Sequence, residues 1–264
     1  MKRFLLIALL AFSACSTTKN LPQSSQVTSI ADGKLFASLF QQQAAEYKAL
    51  CFQAFNFAKL RIDLSINNNS GKPKAIITDI DETILDNSAY DVKQVLQGKD
   101  YEPASWSQWT SLGIADTVPG APSFLHYAAS RGITIFYITN RDEAERAGTL
   151  SNLKKYNLPN ADNEHLVLKQ GISSKEGRRQ EILKNYDVVL LMGDNLADFS
   201  DLYDKRTVEE RNLVTRQLSA EFGNRFIILP NPVYGDWETA LYLYNSKLTM
   251  AQKDSIIRKS VKGY

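Results

Sequence analysis

The chain has 264 residues, of which 44% are hydrophobic and 23% charged, a composition that fits a globular protein and excludes a disordered or fibrous one. The 31 basic and 29 acidic residues are too evenly balanced for a protein that binds nucleic acid polymers or an anionic membrane by bulk charge. Two histidines and two cysteines cannot supply a zinc ribbon, a three-histidine metal site or a disulfide framework. We therefore expect the chemistry to come from carboxylates, lysines, hydroxyls and the backbone.

The first 14 residues have the pattern of a secretory signal peptide. Lys2 and Arg3 precede an apolar run over residues 4–12, and these two residues account for the formal net charge of +2. A helix of that length is much shorter than the hydrocarbon core of a bilayer, about 30 Å, so we expect cleavage rather than a membrane-spanning helix. The small residues before Cys15 resemble a bacterial lipoprotein processing site, which predicts lipidation of Cys15; ordinary cleavage is the alternative.

Residues 15–34 and 35–73 differ in pattern. The first are rich in Ser, Thr, Gln and Asn without apolar periodicity, which predicts a flexible tether. In the second, apolar residues recur every three or four positions, which predicts a helix that packs one stripe on the body of the protein. The stripe consists of Phe36, Phe40, Tyr47, Cys51, Phe55 and Ala58. Cys51 is therefore expected to be a buried, inert thiol.

From residue 74 onwards, short apolar strands alternate with helical segments. The predicted strands are residues 75–78, 133–139, 166–168, 188–192 and 226–229. This alternation is typical of an α/β fold, a Rossmann-like parallel sheet with crossover helices, with its core in residues 74–87 and 119–245. The aromatic segment from about 88 to 118 fits the alternation poorly. We predict that it and the helical region 35–73 contribute a small, mainly helical cap, within a single domain of residues 35–264.

Acidic and hydroxyl side chains follow three of the predicted strands. Asp79 and Asp81 come after the first strand, Thr139 ends the second, and Asp194 and Asp198 follow the strand over 188–192. Ligands bind at the carboxyl ends of parallel strands, so these groups are expected to converge. Clustered carboxylates need a cation, and oxygen ligands favour a hard ion such as Mg²⁺. One carboxylate of the first pair could attack phosphorus while the other donates a proton, although an acidic pair alone often faces solvent or caps a helix.

Two segments carry a resemblance to a known family: ITDIDETILDNSAY at 77–90 and VVLLMGDNLADF at 188–199. Both resemble the motifs of class C, four-aspartate acid phosphatases of the haloacid dehalogenase superfamily, which include the lipoprotein e 5'-nucleotidases. The resemblance extends from about residue 35 to Trp237. It implies the haloacid dehalogenase fold and Mg²⁺-dependent hydrolysis of small aryl or nucleoside monophosphates, such as nicotinamide mononucleotide or 5'-AMP. It also implies a lipid-anchored protein of the bacterial outer membrane and a homodimer.

The resemblance also implies a role for each motif residue. Asp79 corresponds to the nucleophile that forms an aspartyl-phosphate and also to a metal ligand. Asp81 corresponds to the general acid/base, which offers its backbone carbonyl to the metal. Asp194 corresponds to a direct Mg²⁺ ligand, Asp198 to a residue that holds the metal through bound waters, and Thr139 to a ligand of the phosphoryl oxygens.

The lysine of this site has two candidates in the sequence. Lys175 matches the family segment and precedes a predicted helix, a position that favours anions, while Lys169 is the alternative. Arg178 and Arg179 are expected to form surface ion pairs. Asn140 is a candidate substrate contact, and Asn140 and Arg141 are expected to brace the loop at Thr139.

Substrate selection is expected to depend on aromatic side chains that stack on a flat leaving group. The candidates are Tyr90, Trp106, Trp109, Tyr234 and Trp237, among which Tyr234 is preferred because its loop follows the last strand. Ordinary core or cap packing is the alternative for each. Three other functions stay open: a non-catalytic surface module that binds a flat ligand such as heme, a phosphotransferase, and a phosphatase for sugar or lipid phosphates.

Overall fold

A computed structural model of the protein describes residues 29–68 and 70–264. The predicted signal peptide at 1–14, the lipidation site Cys15 and the first part of the predicted tether lie outside the described residues. Among the described residues, no helix is both long enough and apolar enough to cross a membrane.

The centre of the fold is a five-stranded parallel sheet. Its strands are β1 (Lys74–Thr78), β4 (Thr134–Ile138), β5 (Leu166–Val167), β6 (Asp187–Gly193) and β7 (Phe226–Ile228). They are ordered β5-β4-β1-β6-β7, so β1 lies in the middle with β4 and β6 on either side. The predicted α/β fold and all five predicted strands are confirmed. The sequence did not predict a second, two-stranded antiparallel sheet formed by β2 (Leu85–Asp86) and β3 (Asp116–Thr117).

Helices cover both faces of the sheet. In chain order they are α1 (Ser29–Gln43), α2 (Ala45–Ser65), α3 (Ser88–Leu96), α4 (Pro103–Leu112), α5 (Ala121–Ser130), α6 (Arg146–Lys155), α7 (Glu176–Asn185), α8 (Val208–Gln217), α9 (Asp236–Thr239) and α10 (Met250–Ser260). Successive side chains of a strand point to opposite faces, so Ile76 of β1 packs with α2 and α5, while Ala75 and Ile77 pack on the α7 side. Apolar strands buried on both faces explain the near-continuous apolar runs in the sequence.

The N-terminal helical region differs from the prediction in two ways. A helix already begins at Ser29, inside the segment predicted as a tether. The helical region is also interrupted at Ala44, whose backbone is extended, so α1 and α2 do not share one stripe. Phe36 and Phe40 are consequently exposed at 73% and 37%, which corrects the predicted packing of these two residues.

Helix α2 keeps the predicted stripe and packs it on the core. Tyr47, Cys51, Phe55 and Ala58 are buried against the sheet and α5. Burial raises the pKa of the Cys51 thiol to about 11, so the thiol stays protonated at neutral pH. The predicted buried thiol is confirmed.

Helix α4 is tied closely to α6. At Gly148 of α6, an added Cβ would lie 2.3 Å from the carbonyl oxygen of Thr110 and 2.7 Å from the Cα of Ser111. Only glycine permits this approach of the two backbones. The Thr110 hydroxyl also donates a 2.6 Å hydrogen bond to Glu145, just before α6. The two helices therefore form one packed unit.

Candidate active site

The carboxyl ends of the three central strands bring the predicted residues together. The Asp79 amide extends the β1 ladder by donating to the carbonyl of Met192 on β6 at 2.9 Å. Thr139 follows β4 directly, and Asp194 follows β6 directly. Because β4 and β6 both pair with β1, the polar ends of all three lie at one edge of the sheet.

Three carboxylates form a cluster that could bind a divalent metal ion. Ligand oxygens of Asp79, Asp194 and Asp198 all lie within 4.8 Å of one another. A set made only of carboxylate oxygens fits a hard cation such as Mg²⁺. The Asp81 carboxylate is not part of this cluster, so the structure separates the two aspartates of the first motif.

Lys175 is the lysine of this site. Its ammonium lies 2.6 Å from a carboxylate oxygen of Asp198 and forms a second ion pair with Asp79. Lys175 precedes α7 directly, as predicted, and it is buried. Lys169 instead pairs with Asp142 at 2.8 Å, and its side chain is 29% exposed. The geometry thus distinguishes two lysines that the sequence left as alternatives.

Asp198 reaches the cluster because its loop turns sharply. Asn195 caps the short 3-10 segment Leu196–Asp198, and the Asp198 carboxylate accepts a 3.0 Å hydrogen bond from the backbone N–H of Asn195. Gly193 gives the room for this turn, since a Cβ there would lie 2.2 Å from an Asp198 carboxylate oxygen. The glycine of the second motif is therefore a steric requirement of the site.

Burial and mutual repulsion act on the charges of the cluster. Burial raises the pKa of Asp79 to about 7, with Asp198 and Asp81 adding to the shift and Lys175 opposing it. Burial, together with Asp79 and Asp198, also holds the pKa of Asp194 well above its usual range. Burial alone would lower the pKa of Lys175, but the Asp198 and Asp79 carboxylates outweigh it and leave that pKa raised. A bound cation would favour the ionised carboxylates.

Asp81 is held by donors from two other parts of the chain. Arg141 donates from Nη2 to Oδ1 at 2.7 Å and from Nε to both carboxylate oxygens at 3.1 and 3.2 Å. Asn87 donates from Nδ2 to Oδ1 at 2.9 Å, and the Thr139 hydroxyl lies 3.4 Å from Oδ2. Arg141 therefore contacts Asp81 directly, beyond its expected role of bracing the loop.

Arg178 and Arg179 are buried, with 8% and 3% exposure, and not at the surface as expected. Arg178 donates to the Thr139 carbonyl and to Oδ1 of Asn140, both at 2.7 Å. Arg179 pairs with Glu176 and also donates to the Asp198 carbonyl at 2.9 Å. Arginine is usually exposed, so its identity alone favoured the surface. Here the planar guanidinium groups satisfy carbonyl groups of the two loops that form the site.

A residue missed by the sequence analysis, Asn231, links the metal cluster to the loop after β7. Its Nδ2 donates to Asp194 Oδ2 at 2.7 Å, and its Oδ1 accepts hydrogen bonds from the amides of Val233 and Tyr234 at 3.0 and 3.3 Å. The signal available in the sequence was its place in the loop that follows a strand, three residues after the end of β7. The same rule identified the aspartates.

The half-buried Tyr234 is anchored by a second residue that the sequence analysis missed. Its hydroxyl donates to the carboxylate of Glu82, which is fully buried and has φ of 55°. A non-glycine residue rarely adopts this backbone conformation outside turns and functional sites. The exposed Trp237 donates from its indole to the Tyr234 carbonyl at 3.0 Å. These two aromatic residues therefore lie together beside the cluster.

The other aromatic candidates occupy the region between β2 and β3. Tyr90 is only 3% exposed, its hydroxyl lies 3.0 Å from that of Ser105, and its ring contacts Trp106 edge-on. This burial corrects the expectation that Tyr90 contacts substrate. Trp106 also lies over the Arg141 guanidinium, and Trp109 donates to Asn87 Oδ1 at 2.8 Å. Both tryptophans contact residues that hold Asp81.

Comparison with known proteins identifies the family. The family described as HAD superfamily, subfamily IIIB (Acid phosphatase) matches residues 8–237. The class C acid phosphatase from Bacillus anthracis is 40% identical, with a TM-score of 0.86 over 89% of this chain and 99% of that one. A structure of the Bacillus anthracis enzyme with tungstate bound is also 40% identical, with a TM-score of 0.85 over 89% and 98% of the two chains. The chain belongs to the subfamily IIIB acid phosphatases of the HAD superfamily, which are phosphomonoester hydrolases.

Proposed function

We propose that the protein is a Mg²⁺-dependent acid phosphatase and 5'-nucleotidase that hydrolyses small aryl or nucleoside monophosphates through an aspartyl-phosphate. The observation that carries this proposal is the convergence of Asp79, Asp194 and Asp198, with the Lys175 ammonium paired to Asp79 and Asp198. Such a cluster places a nucleophilic carboxylate, a fixed positive charge and candidate metal ligands at one point, as phosphoryl transfer requires.

In the first half-reaction, an Asp79 carboxylate oxygen attacks phosphorus and the bond from phosphorus to the leaving oxygen breaks. Asp81 gives its proton to that oxygen, so an alcohol leaves and Asp81 becomes a carboxylate. In the second half-reaction, Asp81 takes a proton from a water molecule, and the oxygen of that water attacks phosphorus. The bond from phosphorus to Asp79 breaks, which releases phosphate and restores the Asp79 carboxylate.

The other residues of the site hold the phosphoryl group and the charges. Mg²⁺, when bound by the aspartates, supplies positive charge that stabilises the transferring phosphoryl group. Lys175 keeps a permanent charge beside Asp79, since its pKa stays above the ordinary value for lysine. Thr139, whose carbonyl is held by Arg178, offers its hydroxyl to a phosphoryl oxygen. The Bacillus anthracis enzyme binds tungstate, which is a tetrahedral oxyanion as phosphate is, and this supports the proposal that the protein binds a phosphoryl group.

Substrate preference is proposed to come from Tyr234 and Trp237. Trp237 is 47% exposed, and the half-buried Tyr234 is oriented by its hydrogen bond to Glu82. A flat nucleoside base or nicotinamide ring stacked on an aromatic side chain gains about 1–3 kcal/mol. We therefore expect aromatic phosphomonoesters to be favoured over sugar phosphates.

Phosphate release from a substrate panel tests this function. The purified protein would be assayed with nicotinamide mononucleotide, 5'-AMP, 3'-AMP, p-nitrophenyl phosphate and a sugar phosphate, with Mg²⁺ or with a chelator. We expect 5'-nucleotides to be hydrolysed, the chelator to abolish the activity and Asp79→Asn to be inactive. Absence of phosphate release from the whole panel, or activity that survives both the chelator and Asp79→Asn, would contradict the proposal.

We further propose that Cys15 carries a lipid that anchors the protein to the outer membrane. The support is the lipoprotein-like sequence at residues 1–15. Metabolic labelling of cells with a fatty acid probe should label the wild-type protein and not Cys15→Ser. A labelled Cys15→Ser protein would contradict this anchor.

The homodimer expected from the resemblance is likewise a proposal, and an exposed apolar surface supports it. Leu50, Phe57, Leu60 and Leu64 are 44–58% exposed, and their spacing places them on one face of α2. Analytical ultracentrifugation of the detergent-solubilised protein should show a dimer that Leu60→Glu dissociates. A monomeric wild-type protein would contradict it.

A further inference from the structure

The Asp81 carboxylate is held from two sides, by one residue of its own motif and by one residue 60 positions away in the sequence. Arg141, in the loop after β4, places two guanidinium nitrogens within 3.2 Å of its oxygens. Asn87, just before α3, adds a 2.9 Å hydrogen bond from its side-chain amide. A planar guanidinium that donates twice restricts both the position and the rotation of a carboxylate. We call Arg141 and Asn87 the clamp.

The clamp residues are themselves fixed. Arg141 is 2% exposed, and its Nη1 donates to the hydroxyl of Thr149 on α6 at 3.0 Å. Asn87 is fully buried, and its backbone amide donates to a carboxylate oxygen of Glu82 at 2.7 Å. Side chains locked in this way lose little further entropy when they orient a reacting group.

Two tryptophans of α4 cover the clamp. The Arg141 guanidinium lies 5.8 Å from the centroid of the Trp106 ring, within the range of a cation–π contact. The Trp109 indole donates to Oδ1 of Asn87 at 2.8 Å. Positions 106 and 109 are three residues apart and lie on the same face of the helix. One helix therefore contacts both halves of the clamp.

This arrangement explains how two aspartates in one short motif have different roles. Asp79 points into the cluster with Lys175, whereas Asp81 is held outside that cluster by the clamp. We propose that Arg141 and Asn87 are positioning residues that hold the Asp81 carboxyl group for proton transfer to the leaving oxygen, with Trp106 and Trp109 fixing them from α4. The inference rests on the proposed function, in which Asp81 is the general acid.

A misplaced general acid has a signature that a loosened fold does not have. An alkoxide leaving group, as from 5'-AMP, needs a proton as its bond to phosphorus breaks, whereas p-nitrophenolate is stable as an anion and does not. The ratio of kcat/KM for 5'-AMP to kcat/KM for p-nitrophenyl phosphate reports this difference in the first half-reaction. The ratio is independent of the fraction of active enzyme, because that fraction cancels.

The experiment measures this ratio for the full-length protein carrying Arg141→Lys or Asn87→Ser. General acid catalysis contributes about 10²–10⁴-fold, so we expect Arg141→Lys to lower kcat/KM for 5'-AMP by about tenfold to hundredfold and that for p-nitrophenyl phosphate by less than about fivefold. Arg146→Lys is the matched control, because Arg146 pairs with Glu143 and donates to the Leu166 carbonyl, away from Asp81. The control should keep the wild-type ratio. If Asn87→Ser does not fold, Trp109→Phe removes the indole donor while keeping an aromatic ring, and it should shift the ratio in the same direction.

A double-mutant cycle with Asp81→Asn completes the test. If Arg141 acts through Asp81, Arg141→Lys should add little to the loss already caused by Asp81→Asn. Equal losses for both substrates, or full additivity with Asp81→Asn, would overturn the positioning role and leave the proposed function intact. A wild-type protein that hydrolyses neither substrate, or an Asp81→Asn variant with an unchanged ratio, would instead overturn the proposed role of Asp81 itself.

Discussion

The Lys175 ammonium lies 2.6 Å from a carboxylate oxygen of Asp198, and both side chains are almost completely buried. A buried ion pair leaves an uncompensated charge when one partner is removed. Lys175→Gln is therefore expected to increase the repulsion within the cluster and to remove a charge that stabilises the phosphoryl group. We predict a fall in kcat of about 10²–10³-fold, the usual cost of losing one such electrostatic contact, measured as phosphate release. Lys169→Gln is the control and should change kcat by less than about twofold, as for a surface substitution away from the chemistry. A large fall in kcat for Lys169→Gln would contradict the assignment of Lys175 as the lysine of the site.

Asn231→Ala is expected to weaken metal binding. The amide of Asn231 holds Asp194 Oδ2, and the loss of a residue that orients a metal ligand commonly lowers metal affinity by about 10–100-fold. Isothermal titration with Mg²⁺, together with the Mg²⁺ concentration at half-maximal activity, measures the change. The exposed Asn224 offers a matched control, Asn224→Ala, which should bind Mg²⁺ as the wild type does. Unchanged titration curves for Asn231→Ala would show that Asp194 needs no such support.

Gly193→Ala should damage the site through a steric clash. Its Cβ would lie 2.2 Å from an Asp198 carboxylate oxygen, so Asp198 or the end of β6 must move. Overpacking of this kind typically lowers the free energy of unfolding by about 1–3 kcal/mol, and we expect Mg²⁺ affinity to fall as well. Gly177→Ala is the control, because a Cβ at Gly177 in α7 meets nothing within 4 Å. That control should raise stability by about 0.5–1 kcal/mol in urea unfolding; a tolerated Gly193→Ala would refute the steric argument.

Asp91 makes the stability of the fold dependent on pH. Burial raises the pKa of its carboxyl group to about 7, against the attraction of Lys34 and with the help of Asp86 and Asp100. The folded protein therefore binds this proton more tightly than the unfolded chain, in which the pKa is near 3.8. The free energy of unfolding should fall as pH rises from about 4 to about 7 and lose no more from this group above that range.

Asp91→Asn removes this dependence, because the amide has no charge to bury. We expect the variant to gain stability relative to the wild type as pH rises through this window, with the largest gain at pH 8, in urea unfolding with a chelator present. Glu181→Gln, on the exposed face of α7, is the control and should follow the wild type at each pH. A constant difference between Asp91→Asn and the wild type from pH 4 to 8 would contradict the assignment.

Much of the fold follows from local patterns in the sequence. The strands of the central sheet are short apolar runs, and each predicted run overlaps an observed strand, because a strand buried on both faces excludes polar residues. The positions of Asp79, Thr139 and Asp194 follow from the same pattern, since a polar residue directly after such a run lies at the sheet edge. The geometry of the parallel sheet therefore links the apolar strand pattern to the positions of these three site residues.

The contacts that support the site could not be predicted in this way. Arg141 reaches Asp81 across 60 positions and Asn231 reaches Asp194 across 37, and no local periodicity records such pairings. Arg178 was expected at the surface because arginine usually is, yet tertiary structure supplies carbonyl groups that satisfy it in the interior. The exposed Phe36 shows the reverse error, in which apolar spacing was read as burial although a break at Ala44 ends the continuous stripe.

The backbone contact at Gly148 has a consequence for how substrates enter. With no room for even a methyl group between α4 and α6, α4 cannot swing away as a hinged lid without separating from a helix that also holds Arg141. Entry to Asp79 is therefore expected beside the loop after β7, which carries Tyr234 and leads to the exposed Trp237 of α9. Because Tyr234 and Asn87 both hydrogen-bond to Glu82, a displacement of this loop during ligand exchange would be transmitted to a residue that holds the general acid Asp81.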